Sequence, residues 1–391
     1  MILSFKKQNN IKIIFILIIL TLKIAYKKID EKTINKLLGK NNIYKLRDIT
    51  NLTMNNKTIL ILETHHYHSE CSPGFSKYLI DLGYNVDIMM NIYGKDAFNL
   101  FEFKDKIRII LYNYPQEINI ENTQLNNFFS KYSSIIIETV DPRMIDFIYH
   151  LDLLCNKNIY VFHIKDFYDK MNFSEIQNQN RIWTLGHFSI GLYVNPHYFG
   201  KIKLKNKNKK TRFFIVSSMN RNYNYLVSAS QKLIEENYDF DVIVTGRTKT
   251  FNINNINQSL INNFIFSYYL NFSELYNAVD SSDYIIISLD PDNKNDLIFK
   301  NKRVTGSIQL SYGFKKPVLI DSYFSDAYNM TKSNSFLFRK INFYEVMKEA
   351  INLNNEKYKI MQKNLIKLSN LIYNDSLQNV KKTLNSLLYK F

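Results

Sequence analysis

From Thr58 onward, short apolar runs alternate with amphipathic stretches long enough for helices. TILILE (58 to 63) predicts a buried strand, and Pro73-Gly74 opens a helix predicted to run through Leu82. Strands follow at VDIMM (86 to 90), KIRIILY (106 to 112), SSIIIET (133 to 139) and IYVFHI (159 to 164). Helices are predicted near Thr123 to Tyr132 and from Pro142 to Cys155. Strands that alternate with helices imply a parallel sheet covered on both faces.

This rhythm breaks between Trp183 and Thr211, where NPHYFGKIKLKNKNKK carries Pro196, Gly200 and a lysine-rich run. It then restarts. RFFIVSS (212 to 218), FDVIVTG (240 to 246), NFIFSYYL (263 to 270), DYIIISLD (283 to 290) and PVLIDS (317 to 322) read as strands. Helices are predicted over Tyr223 to Glu236, over Ser273 to Val279 and after Thr305. The tail from Asn342 reads as two or more helices. The expected organisation is α/β: two tandem Rossmann-like, doubly wound domains facing a cleft, over 55–190 and 212–340. A linker over 191–211 joins them, and carboxy-terminal helices occupy 341–391. His187 and the Asn195-Pro196-His197 segment fall near the hinge and are read as linker packing.

Residues 1–30 form a separate basic and hydrophobic segment. Ile13 to Leu22 (IIFILIILTL) is apolar except for Thr21 and is bracketed by Lys12 and Lys23. Ten residues cannot cross a bilayer, which takes a helix of about 20. The segment therefore reads either as a shallow membrane anchor with snorkelling lysines or as an element covering a core. Composition adds a charge constraint, since 51 basic against 35 acidic residues leave a formal charge of +16 in a chain of 391. Such a surface favours anionic neighbours. No nucleic-acid motif accompanies it, and nucleic acid is not expected as a partner. Cys71 and Cys155 are too few for a disulfide framework, which fits a reducing, cytoplasmic setting, at the cytoplasmic face of a membrane if the first segment anchors.

Chemistry concentrates at predicted strand ends. The stretch ETHHYHSECSPGF (63 to 75) places three of the seven histidines and two glutamates within eight residues. His66, His68 and Glu70 would share one side if it stayed extended, and they are the candidate catalytic residues, suited to bind hydroxyls or accept a proton. Glu63 is still in the strand and reads as structural. No convergent set of metal ligands is read here. In the second domain, VSSMNRN (216 to 222) offers Ser218 and Arg221, and TGR (245 to 247) offers Gly246 and Arg247. The run from Asp290 to Ile320 offers Arg303, then Thr305-Gly306-Ser307 at a helix start, with Thr305 as a candidate cap.

At these residues the chain resembles the GT-B glycosyltransferases with a group 1, family 4-like donor domain, through ELYNAVDSSDYIIISL (274 to 289) and TGSIQLSYGFKKPVLI (305 to 320). The resemblance covers about Arg212 to Ser322. It implies transfer of a sugar from a nucleotide-sugar donor, bound by the second domain, to a glycan or lipid-linked acceptor at the first. No metal or other cofactor would be needed. Arg221 would lie near the donor diphosphate, with Thr305, Gly306 and Ser307 beneath it. One departure is plain: the paired glutamates eight apart seen in many group 1 members are missing, and Gln309 lies near where one would sit. Asp290-Pro291-Asp292 is a DxD, a metal motif of the other glycosyltransferase fold, GT-A, which the tandem pattern contradicts; loop-turn carboxylates are the preferred reading. Rival readings are a polyol-phosphate transferase of related architecture and a noncatalytic nucleotide- or glycan-binding protein.

Overall fold

The computed structural model describes residues 43–46, 49, 52, 57–65, 68–113, 118, 121–155, 157–171, 179–217, 221, 223–246, 258–267 and 270–388. The segment 1–30 lies outside them. The first series of elements is β1 (Ile43–Lys45), β2 (Thr58–Leu62), α1 (Ser72–Asp81), β3 (Asn85–Asn91), β4 (Ile107–Tyr112), α2 (Thr123–Phe129), β5 (Ile135–Ile137), α3 (Ile145–Leu154), β6 (Ile159–Phe162), α4 (Lys165–Lys170), β7 (Ile182–Thr184) and β8 (Leu192–Tyr193). The second is β9 (Thr211–Ser217), α5 (Asn224–Glu235), β10 (Phe240–Gly246), α6 (Gln258–Ile261), β11 (Phe264–Ser267), α7 (Phe272–Ser281), β12 (Tyr284–Ile287), α8 (Gly306–Phe314), β13 (Val318–Asp321), β14 (Ser335–Phe338), α9 (Phe343–Asn352) and α10 (Asn355–Leu388).

Both sheets are parallel throughout, and their central strands, such as Thr58–Leu62 and Tyr284–Ile287, are buried along their whole length, as parallel strands covered on both faces are. The strand orders are β1-β4-β3-β2-β5-β6-β7-β8 and β11-β10-β9-β12-β13-β14. The second sheet has the doubly wound order that starts in the middle, runs outward, then returns to build the other half. The first has the same order with one strand added at each edge. The order reverses between β2 and β5 in one sheet and between β9 and β12 in the other. Ligands of open α/β sheets bind outside the carboxyl ends at such reversals.

The two sheets are tied by α10. Its 34 residues give a helix about 51 Å long. Near its start, Tyr358 and Met361 join the core of the second sheet, whereas Val380, Leu384 and Leu387 join the core of the first. Trp183, fully buried in β7, donates its indole N–H to Thr383 Oγ1 at 2.8 Å, and the Asn195 N–H donates to Ser376 Oγ at 3.0 Å. On the other side of the crossing, Gly74 of α1 lets the linker approach: a Cβ there would meet the Pro196 backbone at 2.5 Å. His197 is buried within hydrogen-bonding distance of the Asn195 and Ser369 carbonyls, so this segment packs against α10.

If α10 completes the first core, Leu384→Ala should lower the unfolding free energy by about 2–5 kcal/mol in urea titrations, as for any buried leucine. Leu371→Ala, on the exposed face of the same helix, should change it by less than about 0.5 kcal/mol.

Candidate active site

Between the two reversal points lies a cavity of about 290 Å³. His68, Glu70 and His163 line it from the first sheet's loops, and Arg221, Arg303, Thr305, Gly306 and Gln309 from the second. The backbone closes it on one side, where Ile164 bridges to Arg303 and the Lys165 N–H donates to the Lys302 carbonyl at 2.8 Å.

The His/Glu stretch does not stay extended. His68 N–H reaches back to the His65 carbonyl at 3.4 Å, Cys71 N–H to His68 at 2.9 Å and Ser72 N–H to Ser69 at 3.3 Å, so the segment coils into the start of α1. The shared face expected of an extended segment is therefore replaced by a turn that folds Glu70 against His68, with Nδ1 3.7 Å from Oε1. His68 packs against His163, ring centroids 4.3 Å apart and planes tilted by 46°. His163 Nε2 lies 3.0 Å from the Glu138 carbonyl and 3.4 Å from Thr139 Oγ1, which donates to Glu63 Oε2 at 2.9 Å. Glu63 also accepts the His65 N–H, and Glu138 accepts the Ser72 hydroxyl. Arg143 grips Asp141 with two side-chain bonds of 2.8 and 2.6 Å, and Asp141 Oδ2 stands 3.6 Å from His65 Nε2.

Burial sets the protonation of this cluster. It pushes Glu63 up to about 8 and Glu138 well above the usual carboxylate range, the latter reinforced by Glu63. It pulls His163 well down, with help from His68, and His65 down for the same two reasons. For His68, burial acts downward too, but the Glu70 and Glu63 carboxylates outweigh it and raise the imidazole. Arg143 holds Asp141 down at about 2. The cluster thus has an interior whose carboxyls are pushed up and imidazole pulled down by burial, with the His68–Glu70 pair at the cavity wall. Glu70 Oε2 is buried and has no hydrogen-bond partner among the described residues; the same is true of Gln309 Nε2 across the cavity.

On the opposite wall, Arg221 donates to Ser288 Oγ at 3.0 Å and stands 3.9 Å from Asp296 Oδ1. Arg221 and Arg303 both stand over the Phe299 ring, at 5.6 and 5.2 Å from its centroid. Arg303 has no carboxylate partner among the described residues. Desolvation by the cavity wall, then repulsion from Arg221, lowers its affinity for its proton. Thr305 occupies the cap position of α8 with extended backbone, but its side chain makes no capping bond, contrary to the capping expected of it. A Cβ built on Gly306 would meet nothing within 4 Å, so the helix start opens onto free space. Two cations and an uncapped helix N-terminus make this wall suited to an anion.

Of the residues singled out in the sequence, His68, Glu70, Arg221, Arg303, Thr305 and Gly306 line this one cavity. Ser307 is buried in the first turn of α8, and Gly246 ends β10 with φ 94°; neither lines the cavity. His66, Ser218 and Arg247 lie outside the described residues. Asp290 and Asp292 are both held by Lys340, at 2.6 and 2.8 Å, and the Asp292 N–H bonds to Asp290 Oδ1, which makes them turn carboxylates. Among the described residues no group of three or more His, Cys, Asp or Glu could hold a metal ion. Sequence reading missed His163 and Glu138 as members of the site. Both end predicted parallel strands, IYVFHI and SSIIIET, and that position was the available signal.

No protein-family model and no curated protein matches the chain. Among solved structures, it is similar to a glycosyltransferase from Rickettsia africae at 14% identity over 86% of this chain and 100% of the other, TM-score 0.48. It is similar to HepE of Anabaena, solved with UDP, at 11% over 84% and 100%, TM-score 0.49. A third is the β-glucosyltransferase of phage T4, at 14% over 84% and 99%, TM-score 0.45. Likeness at this level bears on neither activity nor subfamily. The layout, read from the strand orders themselves, is that of the GT-B fold. In that layout the cavity lies where both sheets present their carboxyl ends.

The protonation of Glu63 gives a test of the site's interior. Glu63 titrates near 8 in the fold and near its ordinary 4.5 when unfolded, so between those values the folded chain keeps a proton the unfolded chain has released. Its contribution to stability must therefore fall as pH rises from about 4.5 to about 8 and level off above. Glu63→Gln mimics the protonated form. Urea unfolding should show the variant gaining on the parent chain at pH 8 relative to pH 5; an equal difference at both pH values would contradict the assignment.

Proposed function

We propose that this protein is a glycosyltransferase that moves a sugar from a nucleotide-sugar donor to a glycan or lipid-linked acceptor without a metal ion or other cofactor. The observation that carries the reading is the Arg303 guanidinium, without a carboxylate partner among the described residues, beside Arg221 at the open start of α8, facing the His68–Glu70 pair across one cavity. The donor's diphosphate lies against the two arginines and the α8 N-terminus, which stabilise the charge that develops as the anomeric carbon–oxygen bond breaks and its electron pair leaves with the diphosphate. Fixed cations and N–H groups fill the role a divalent ion would otherwise have.

The acceptor hydroxyl enters from the first-domain side and attacks the anomeric carbon. Its proton passes to Glu70, a lining residue of the cavity whose carboxylate stands against His68 through Oε1 and whose buried Oε2 has no hydrogen-bond partner among the described residues. The donor N–H of Gln309 and the acceptor oxygen of Glu70 together suit hydroxyl groups, which both give and take hydrogen bonds. Two free, buried cysteines fit a reducing compartment, and the +16 charge fits an acceptor held at an anionic membrane face.

The test is release of nucleoside diphosphate from a panel of UDP-, GDP- and CDP-sugars. Glu70→Gln should slow release by about 10²–10⁴ while leaving nucleotide affinity within about twofold, and EDTA should leave the parent rate unchanged. Release that EDTA abolishes, or a Glu70→Gln variant with full activity, would overturn this mechanism.

A further inference from the structure

We propose that the outer face of α10, with the lysine-rich connection beside it, is a docking surface for an anionic lipid bilayer. The helix turns Tyr358, Leu365, Ser369, Ser376 and Thr383 inward. The opposite side presents Ile360, Lys363, Lys367 and Leu371 at i, i+3, i+7 and i+11, one straight stripe over three turns. Lys357 extends it at one end and Lys381 and Lys382 at the other, all exposed. From Lys357 to Lys382 the stripe is about 38 Å long.

Glu356 and Asp375 are the acidic residues on this face. None of the five lysines has an acidic partner among the described residues, in contrast to Lys348 on α9, which bonds Glu236. The linker adds to the same end. The Lys207 N–H donates to Asn355 Oδ1 at 2.9 Å, which brings exposed Lys203, Leu204 and Lys209 to the start of α10.

Two properties favour a bilayer over a nucleic acid. Leu204, Ile360 and Leu371 stand 49%, 56% and 62% exposed among the lysines, and aliphatic side chains are useful against lipid but not against a phosphate backbone. No aromatic side chain of α10 is exposed among the described residues, so bases find no stacking platform. A helix held along its length by two cores also lies flat, and its lysines reach a plane together. The contact is independent of sugar transfer, so its failure leaves nucleotide binding untouched.

The test uses the full chain and cosedimentation with vesicles of phosphatidylcholine alone or mixed with phosphatidylserine. The parent chain should sediment with the mixed vesicles, not the neutral ones, and should be released by salt. Replacing Lys363, Lys367, Lys381 and Lys382 by Gln should weaken partitioning at least about tenfold, with helicity, melting temperature and nucleotide binding unchanged. Ile360→Ser with Leu371→Ser should weaken it by a smaller factor. Three results would each overturn the proposal: no binding to anionic vesicles, equal binding by the lysine variant, or a DNA or RNA duplex that displaces the vesicles and loses affinity in that variant.

Discussion

The 34-residue helix α10 is the constraint on which the site depends, because it belongs to two cores at once. Each sheet alone offers half a site at its carboxyl edge: carboxylates and imidazoles at one, guanidiniums and a helix start at the other. They become a single cavity because α10 crosses from one core to the other. The indole of Trp183 and the backbone of Asn195 are fastened to its far end. At the cavity itself the contacts among the described residues include the backbone bridge at Ile164–Arg303, the Lys165 N–H to Lys302 carbonyl bond and an ion pair between Lys302 and Asp166 at 3.2 Å. Tight attachment far from the cleft with light attachment at its mouth lets a ligand enter without dismantling the arrangement.

The electrostatics of the cleft are asymmetric by construction. On the first-sheet side, burial keeps Glu63 and Glu138 protonated and His163 neutral, so the interior holds polar groups at little charge. Toward the surface the effect reverses at Asp141, where the Arg143 guanidinium holds the carboxylate down at about 2. The second-sheet side concentrates positive charge instead. Arg221 and Arg303 repel one another, and the ring of Phe299, within 5.6 Å of both, offsets part of that repulsion. An anion bound there removes the rest.

Much of this was legible in the chain because parallel sheets write their strands as continuous apolar runs. TILILE, FDVIVTG and PVLIDS carry their own boundaries. The strands that sequence reading passed over, Ile43–Lys45, Ile182–Thr184, Leu192–Tyr193 and Ser335–Phe338, are two to four residues long and too short to show a period. Arg221, Arg303 and Gly306 could be read because strand ends and helix starts predict where anions bind. Glu138 and His163 could not be ranked from sequence, since what gives them significance is burial beside Glu63 and His68, which are distant in the chain. The return of the tail into the first core was illegible for a similar reason: the alternation of Val380, Leu384 and Leu387 marks a buried helix face without naming the core that buries it.

The central claim is that the wall formed by Arg221, Arg303 and the start of α8 binds a nucleoside diphosphate with no metal. Isothermal titration calorimetry with UDP, GDP and CDP in the presence of EDTA, on the parent chain and on Arg303→Ala, addresses it directly. The account predicts that one of these nucleotides binds with EDTA present and that its Kd rises about ten- to a hundredfold in Arg303→Ala. Binding that requires a divalent cation, or that Arg303→Ala leaves unchanged, would contradict it.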